Sequence, residues 1–423
     1  MNLNFYIAKR ISKKSAGGGK LSSVSSVIAT VSVALSIAIM IVAIAVANGF
    51  RDEIREKTSG FGGDITLQAP GVDITNHLYP IKSISFEDTI SSLEFVKSLQ
   101  PVSYRTGVLK SDSLIQGVIF KGIDGNYNME FFSRHLCDGT LPDYSLKSDS
   151  TGYILPPSND ILISRRLANI MGYKVGDKSL AYFVDEDVRV RRFRVCGIYD
   201  AQLDQLDQSL VVADMRHISH LNGWKNGEIN GYELLLHKKY RDRSRECSQV
   251  LDDILYRCTS DEDASIVPTT IQERFYILFD WLHLLDLNVL IILVLMIAVA
   301  GFNMVSGLLI ILFERISQIG LFKAMGMRNS NISRIFLNVA SSIVIKGLVA
   351  GNLIALVLCW VEKNYKVIPL DPSNYFVNYV PVSITPVAIA VINLVAFSAI
   401  MVILLVPCRL ISKISPARTL KIE

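Results

Sequence analysis

Four stretches of the chain stay apolar for longer than a soluble core requires: Val27–Ala47, Leu287–Leu312, Ile335–Trp360 and Val387–Pro407. A helix needs about 20 apolar residues to cross the hydrocarbon of a bilayer. Each stretch is that long, so the pattern predicts four transmembrane α-helices. The first is too long for the apolar part of a secretory signal. It is followed by Asn48-Gly49-Phe50-Arg51, not by a small-residue cleavage site, and is expected to remain as a span.

Between the first and second spans the pattern shortens. Alternating or β-branched runs predict strands at Val102–Leu109, Ser113–Lys121, Asp160–Ile163, Leu180–Val184, Val188–Ile198, Leu210–Ala213 and Tyr232–His237. Helical spacing marks Glu87–Leu99, Arg165–Met171, Asp214–Leu221 and Tyr240–Arg257. Thr269–Leu285 is expected to be a helix that runs unbroken into the second span, giving one rod over 269–312. Residues 141–159 read as loop. The predicted fold is a membrane protein of four transmembrane helices, with a large α+β domain inserted between helices 1 and 2. That domain is large enough for its own core, in two lobes. The chain then divides into 1–24, helix 1 at 25–48, the α+β domain at 49–286, and helix 2 at 287–312. A loop at 313–334, helix 3 at 335–360, a second loop at 361–386, helix 4 at 387–407 and a tail at 408–423 complete it.

Charge orients these pieces. Lys9, Arg10, Lys13, Lys14 and Lys20 precede helix 1 without an acid, and Arg315, Lys323, Arg328 and Arg334 follow helix 2 against Glu314 alone. The tail carries Arg409, Lys413, Arg418 and Lys421, whereas Lys363 and Lys366 in the second loop are offset by Glu362 and Asp371. Basic short loops stay on the cytoplasmic side. Both termini and the 313–334 loop are therefore expected inside, and the α+β domain and the 361–386 loop outside.

Catalytic chemistry is hard to find. Ser15-Ala16-Gly17-Gly18-Gly19-Lys20 has the look of a phosphate loop, but Lys14 stands where the leading glycine belongs and Leu21 where a hydroxyl belongs. It reads as a flexible basic linker beside anionic lipid. His217 and His220 have a metal-compatible spacing without a third ligand nearby, and Asp214 reads as a helix cap. Asp185, Glu186 and Asp187 read as a hairpin turn, and Asp204 and Asp207 as parts of a polar loop. The basic strand Arg189–Arg194 lies outside the membrane, where nucleic acid is not expected. The six cysteines include no CxxC pair. Cys247 and Cys258 would sit about 16 Å apart on one helix, too far for a disulfide.

The junction after helix 2 stands out. Glu314 and Arg315 end the span, and a short amphipathic segment follows with Ile316, Ile319, Phe322 and Met325 on one side, ending at Gly326. With Phe313, these side chains fit a helix-in-groove contact with a partner below the membrane. The alternative is a helix resting on lipid. Within the spans, Gly347 and Gly351 form a small-x-x-x-small pair, and Ser32 and Ser36 a weaker one. Lys346, deep in helix 3, should meet protein, water or a partner, or snorkel; Asn303 falls at a similar depth.

Several stretches resemble the MacB/FtsX-like family of ABC transporter permeases, and within it the lipoprotein-releasing (LolC/LolE-like) permeases. They are Tyr6-Ile7-Ala8-Lys9-Arg10 with Ala47-Asn48-Gly49-Phe50, Ile161–Ala168 with Met171–Lys178, Phe302-Asn303-Met304 with Phe313–Arg315, Gly320-Leu321-Phe322-Lys323-Ala324-Met325-Gly326, and Ser415–Lys421. The resemblance implies a MacB-like periplasmic core, an FtsX-like permease domain over 287–423, and an inner-membrane location. It further implies transport driven by a separate cytoplasmic ATPase dimer that binds ATP and Mg, with no catalytic site, cofactor or metal in this chain. Glu314, Arg315, Ile316, Ile319, Gly320, Phe322, Lys323, Met325 and Gly326 would form the ATPase-coupling helix, a mechanical link from ATPase to periplasm. Asn303, Lys346, Gly347 and Gly351 would serve packing or the cavity. The implied partners are a second permease chain (identical or not), lipoprotein cargo, membrane lipid and a periplasmic carrier, with no nucleic acid. LolC-type members hook the carrier with a long proline-containing loop. Here only Asp185-Glu186-Asp187 joins the corresponding strands, a departure that bears on carrier docking. The alternatives within the family are an FtsX-like transducer of cell-wall hydrolases and a MacB-type export permease.

Overall fold

A computed structural model describes residues 20–84, 86–111, 114–146, 156–185, 187–203, 207–225, 227–258 and 266–410. The expectations for Tyr6–Arg10, most of the phosphate-loop lookalike, Glu186, Asp204 and Ser415–Lys421 lie outside those residues. The described chain forms two units. One takes the residues up to Asp52, Trp281–Pro369 and those from Tyr379 onward; the other takes Glu53–Asp280 and Leu370–Asn378.

The first unit is built on helices α1 (Lys20–Gly62, which ends in the second unit), α2 (Tyr276–Glu314), α3 (Ile316–Ala324), α4 (Asn329–Tyr365) and α5 (Pro386–Ile403). Four helices among the described residues are long and apolar enough to cross a membrane: α1, α2, α4 and the helical stretch Pro386–Arg409 that contains α5. They share a core that includes Val33, Ile37, Met304, Leu308, Phe336, Val344, Ala396 and Ile400. Their outer faces also stay apolar, with Leu35, Val294, Leu353 and Leu394 exposed. Water would penalise such a surface and hydrocarbon does not. Helix α4 lies close against α1 at two glycines. A Cβ on Gly347 would stand 2.7 Å from Val33 Cγ1, and one on Gly351 would stand 2.5 Å from the Ala34 carbonyl oxygen. Only glycine permits that approach.

The expected rod over 269–312 is broken. Val267–Thr270 is a strand, Ile271–Arg274 is a single helical turn, and Phe275 (φ −112°, ψ 43°) separates it from α2. The local chemistry explains the break. Thr270 and Glu273 form a capping box, each side chain accepting from the other residue's backbone N–H, so a helix starts there rather than passing through. Helix α5 also ends early, at Ile403, and Leu405–Leu410 forms a separate short helix.

The second unit carries twelve strands among the described residues: β1 Ile65–Gln68, β2 Ile81–Lys82, β3 Val96–Lys110, β4 Ile115–Ile123, β5 Leu136–Gly139, β6 Asp160–Ser164, β7 Lys178–Val184, β8 Val188–Tyr199, β9 Leu210–Asp214, β10 Glu228–Ile229, β11 Gly231–Leu236 and β12 Val267–Thr270. Six of them close on one another in the order β3-β4-β9-β6-β8-β7 and back to β3. Alternate residues point inward and fill the ring: Val118 and Phe120, Ile161 and Ile163, Ala181 and Phe183, Phe193 and Val195, Val211 and Ala213. Phe120 stacks on Phe183 and Phe193 at 4.9 and 5.4 Å between ring centres. The other end of β3 leaves the ring and pairs with β11, which continues through β1 to β12. The helix Ser244–Cys258 covers this second sheet through Cys247, Leu251 and Leu255. The two lobes thus share one long strand. This corrects the helix expected at Glu87–Leu99. Only Glu87–Ser91 is helical, and Val96 onward belongs to β3, where it pairs with Leu236. The β7–β8 register pairs Val184 with Val188, so a three-residue turn joins them.

Two substitutions test this packing. Gly351→Leu should cost about 1–3 kcal/mol by overpacking and lower the thermal midpoint of the detergent-solubilised chain; an unchanged midpoint would refute the close α1–α4 approach. Phe120→Ala should cost about 3–5 kcal/mol and destabilise the ring, read as earlier loss of hydrogen-exchange protection in β4 and β7.

Candidate functional site: helix α3, the intramembrane polar contacts and the buried ions

Helix α3 forms because α2 is interrupted but scarcely unsatisfied. Arg315 leaves helical geometry (φ −105°, ψ 16°), yet its N–H still donates to Ile311 at 3.2 Å and its C=O accepts from Ile319 at 3.0 Å. The far end is a Schellman cap. Gly326 takes φ +83°, its N–H donates to Lys323, and the Met327 N–H donates to Phe322, each at 3.0 Å. A side chain at position 326 would be strained in that left-handed conformation.

The faces of α3 differ from expectation. Ile319 is 0% exposed and Gly320 is buried, while Phe322 packs against the core of the four-helix unit. Ile316, Arg315 and Lys323 are half-buried. The face left open comprises Glu314, Ser317, Gln318, Leu321 (51% exposed) and Met325 (65% exposed), with Phe313 exposed beside it. The most apolar face of α3 therefore belongs to its own protein and is not available to a partner's groove. The reason is that α3 folds back against the start of α4, where Ile332, Ile335 and Phe336 offer a larger apolar surface.

Polar contacts cross the spans. The Asn303 amide donates to the Ser32 hydroxyl and joins α2 to α1. Asn352 and Asn393 exchange hydrogen bonds at 2.8 and 3.0 Å, and each also donates to a carbonyl of its own helix, joining α4 to α5. Sequence reasoning missed this pair, although asparagines at matching depth in two apolar runs are a visible signal. Lys346 is exposed, whereas Gly347 and Gly351 are buried against α1.

The second unit buries ions that the sequence did not single out. Lys121 and Glu233 are 0% and 1% exposed and lie 2.7 Å apart. The Lys121 ammonium also donates to the Phe61 carbonyl (2.6 Å) and to Tyr127 Oη (2.8 Å). Tyr104 and Tyr127 donate to the two Glu233 oxygens at 2.6 and 2.8 Å. Burial lowers the Lys121 pKa while Glu233 opposes the shift. Burial, reinforced by the Glu233 charge, pushes both phenols well above their usual range. At neutral pH every hydroxyl here therefore stays a donor. A cavity of about 380 Å³ opens beside this cluster, lined by Glu56, Lys97, Gln100, Arg134, Glu233 and Arg241 among others.

The remaining candidates resolve into structural roles. Asp214 caps its helix by accepting from Arg216 N–H and also accepts from Ser158 N–H. His217 packs edge-on against Phe193, and no group of three metal-ligating side chains occurs among the described residues. Asp185 pairs with Arg105 at 3.2 Å and Asp187 completes the turn. Along the basic strand, Arg189 donates to the Leu221 carbonyl and Arg194 grips Asp160. All six cysteines are free.

Comparison with known proteins matches the MacB-like periplasmic core domain to residues 26–263 and the FtsX-like permease C-terminal domain to residues 290–416. The lipoprotein-releasing system transmembrane protein LolC of Xylella fastidiosa is 22% identical over 424 residues, covering 95% of this chain and 94% of that one. The protein of the same name from Neisseria meningitidis serogroup B is 23% identical over 445 residues, covering 100% of both. The periplasmic region of MacB from Actinobacillus actinomycetemcomitans aligns with 50% of this chain and 91% of its own length, at 13% identity and a TM-score of 0.32. With the MacB-like core matching more than half of this chain and the FtsX-like domain following it, the chain belongs to the MacB-like, FtsX-like permease family.

Proposed function

We propose that this protein is the membrane-spanning permease subunit of an ABC-type system that releases lipoproteins from the inner membrane toward the outer membrane. The observation that carries the reading is end-to-end coverage. Proteins named for lipoprotein release align along the whole chain, across both family domains in order. In this reading α1, α2, α4 and α5 cross the inner membrane with both termini cytoplasmic, as the basic loops require. The α/β unit, most of whose residues fall in sequence between the first two apolar helices, is periplasmic in this reading.

ATP hydrolysis belongs to a separate cytoplasmic ATPase dimer, which binds the ATP and Mg. Helix α3 is its docking site. The ATPase meets the open face of Glu314, Ser317, Gln318, Leu321 and Met325, while Ile319 and Phe322 anchor the helix to the spans. Two permease chains pair, and the cargo's acyl chains enter between them. Each CH2 taken from lipid into water costs about 0.8 kcal/mol, so exposing several acyl chains would cost on the order of tens of kcal/mol. Release must therefore hand the lipid from one apolar enclosure to another, the second being a periplasmic carrier. With only a three-residue turn between β7 and β8, carrier contact in this chain falls to other surfaces or to the paired permease.

Depletion of the protein should leave outer-membrane lipoproteins in the inner membrane, read by membrane fractionation. Normal sorting, together with a defect in cell-wall hydrolysis or in export of a soluble compound, would replace this reading with a transducer or an export permease. Within the assembled transporter, Leu321→Glu combined with Met325→Glu should reduce cargo release per ATP hydrolysed by about tenfold, the effect of losing about 1.4 kcal/mol of contact, without lowering the amount of chain. Ile319→Glu should lower the amount of chain itself, because it places a charge in a closed core. Full coupling in the double variant would show that α3 does not dock the ATPase by this face.

A further inference from the structure

Lys57, near the end of α1, is an ion for which the transport reading has no use. Its side chain is 2% exposed. A buried ammonium is tolerated only where its donors are satisfied. Two hydrogen bonds do most of this, to the Gln202 side-chain oxygen and to the Phe376 carbonyl, both at 2.9 Å. Glu53, one turn back on α1, stands 3.6 Å away. The two acceptors come from distant parts of the chain. Gln202 lies in the connection from β8 to β9. Phe376 lies in Leu370–Asn378, the piece of the α4–α5 connection that belongs to the second unit.

Both partners have unusual backbones. Among the described residues three non-glycine residues have positive φ, and two of them are Gln202 (φ 62°) and Phe376 (φ 60°). Side chains resist this left-handed region, so such residues persist where their surroundings hold them. One ammonium holds both. Phe376 also packs against the aromatic cluster of Phe61, Phe132 and Tyr199.

The same wall contains an unused acceptor. Asp207 is 3% exposed; its Oδ2 accepts from Leu203 N–H at 3.0 Å, but its Oδ1 is buried without a partner. Burial raises Asp207 to about 7; the backbone N–H groups of Leu203 and Gln202 and the Lys57 charge oppose that rise, the Gln202 N–H without forming a full hydrogen bond to Oδ1, and the Asp200 charge adds to it. The charged groups acting on Lys57 are Glu53 from its own helix and Asp200 and Asp207 from the β8–β9 connection.

We propose that Lys57 is a positioning residue that latches Leu370–Asn378 to the α/β unit through the Phe376 carbonyl, and that Asp207 Oδ1 is the second seat of its ammonium when the segment is released. The exchange is balanced by opposing effects. Engaged, the latch satisfies the ammonium with neutral acceptors and holds two strained residues. Released, it gains an ion pair, fills the orphaned oxygen and lets Phe376 relax. Leu370–Asn378 can then stay packed on the rest of the α/β unit or leave it. The inference goes beyond the transport reading and does not depend on the identity of the cargo.

The test is hydrogen exchange of the Leu370–Asn378 amides in the full chain in lipid nanodiscs. Lys57→Met should speed exchange there by about tenfold, equivalent to about 1.4 kcal/mol, with protection in the β3–β9 ring unchanged. Asp207→Asn keeps the shape and an acceptor for Leu203 but removes the competing charge, so it should slow exchange. A residue that merely supports the fold would speed exchange in both variants. In the wild type, exchange corrected for its intrinsic rate should be slower at pH 6 than at pH 8, because a protonated Asp207 is a poor seat, and Asp207→Asn should abolish that difference. Faster exchange in Asp207→Asn, or the same pH dependence in both proteins, would overturn the proposal, and both readings remain available if Lys57→Met does not fold.

Discussion

The buried pair of Lys121 and Glu233 is the interaction on which the α/β unit turns. Removing both charges from water costs several kcal/mol per ion unless each is fully met, and here each is. The ammonium has three acceptors, one of them the Phe61 carbonyl close to the end of α1. The carboxylate has two phenols besides its cation. Arg274, the last residue of the turn that precedes α2, reaches the same neighbourhood. Its guanidinium lies so close to Gly62 that a Cβ there would stand 2.5 Å from Nη1; burial works against its charge, but the Tyr104 phenol oxygen and the Asp73 and Glu233 carboxylates outweigh that cost and hold its pKa up. The point where the chain enters the unit and the point where it leaves are therefore bound to one electrostatic cluster. Neutralising one member would strand the others, so the cluster fixes both ends together or not at all.

The four-helix unit meets the opposite constraint. Hydrocarbon offers no hydrophobic drive for helices to associate, so contact must come from close packing and shared polar groups. The glycines of α4 bring it within backbone reach of α1, and the reciprocal amides of Asn352 and Asn393 fasten it to α5. Asn303 and Ser32 do the same between α2 and α1. Each amide makes a second bond or meets a hydroxyl, as an environment without water demands.

Much of this was legible in the chain. The four apolar runs, the β4, β6, β7, β8, β9 and β11 alternations and the helix at Arg165–Met171 follow from periodicity alone, because period 2 and unbroken apolarity are local properties. Non-local outcomes escaped. Val96–Leu99 reads as the end of a helix, but its residues extend β3 because β11 waits to pair with them. Thr269 and Thr270 look like the start of a rod, but β1 claims them as an edge strand. The Lys121–Glu233 pair was invisible because 112 positions separate the two residues, and each alone reads as an ordinary strand charge. In α3, helix and cap were readable from Ile316 to Gly326, while the direction of its faces was not. Amphipathic spacing says that one side is apolar and leaves open what that side packs against.

That last distinction bears on how α3 can work. A face of Ile319 and Phe322 offered to a partner would be an apolar patch, exposed to water whenever the partner left. In this fold the patch is spent on the protein's own spans, and what remains is mixed: a carboxylate, a hydroxyl and an amide around Leu321 and Met325. Interfaces that form and dissolve are about as polar as ordinary surface, while permanent ones resemble a core. A helix glued to its spans by its apolar side, and presenting a mixed side outward, cannot yield to a push on its outer face without moving its inner anchor. If the ATPase docks as proposed, force applied at Leu321 and Met325 would be delivered to Ile332, Ile335 and Phe336, and so to α4.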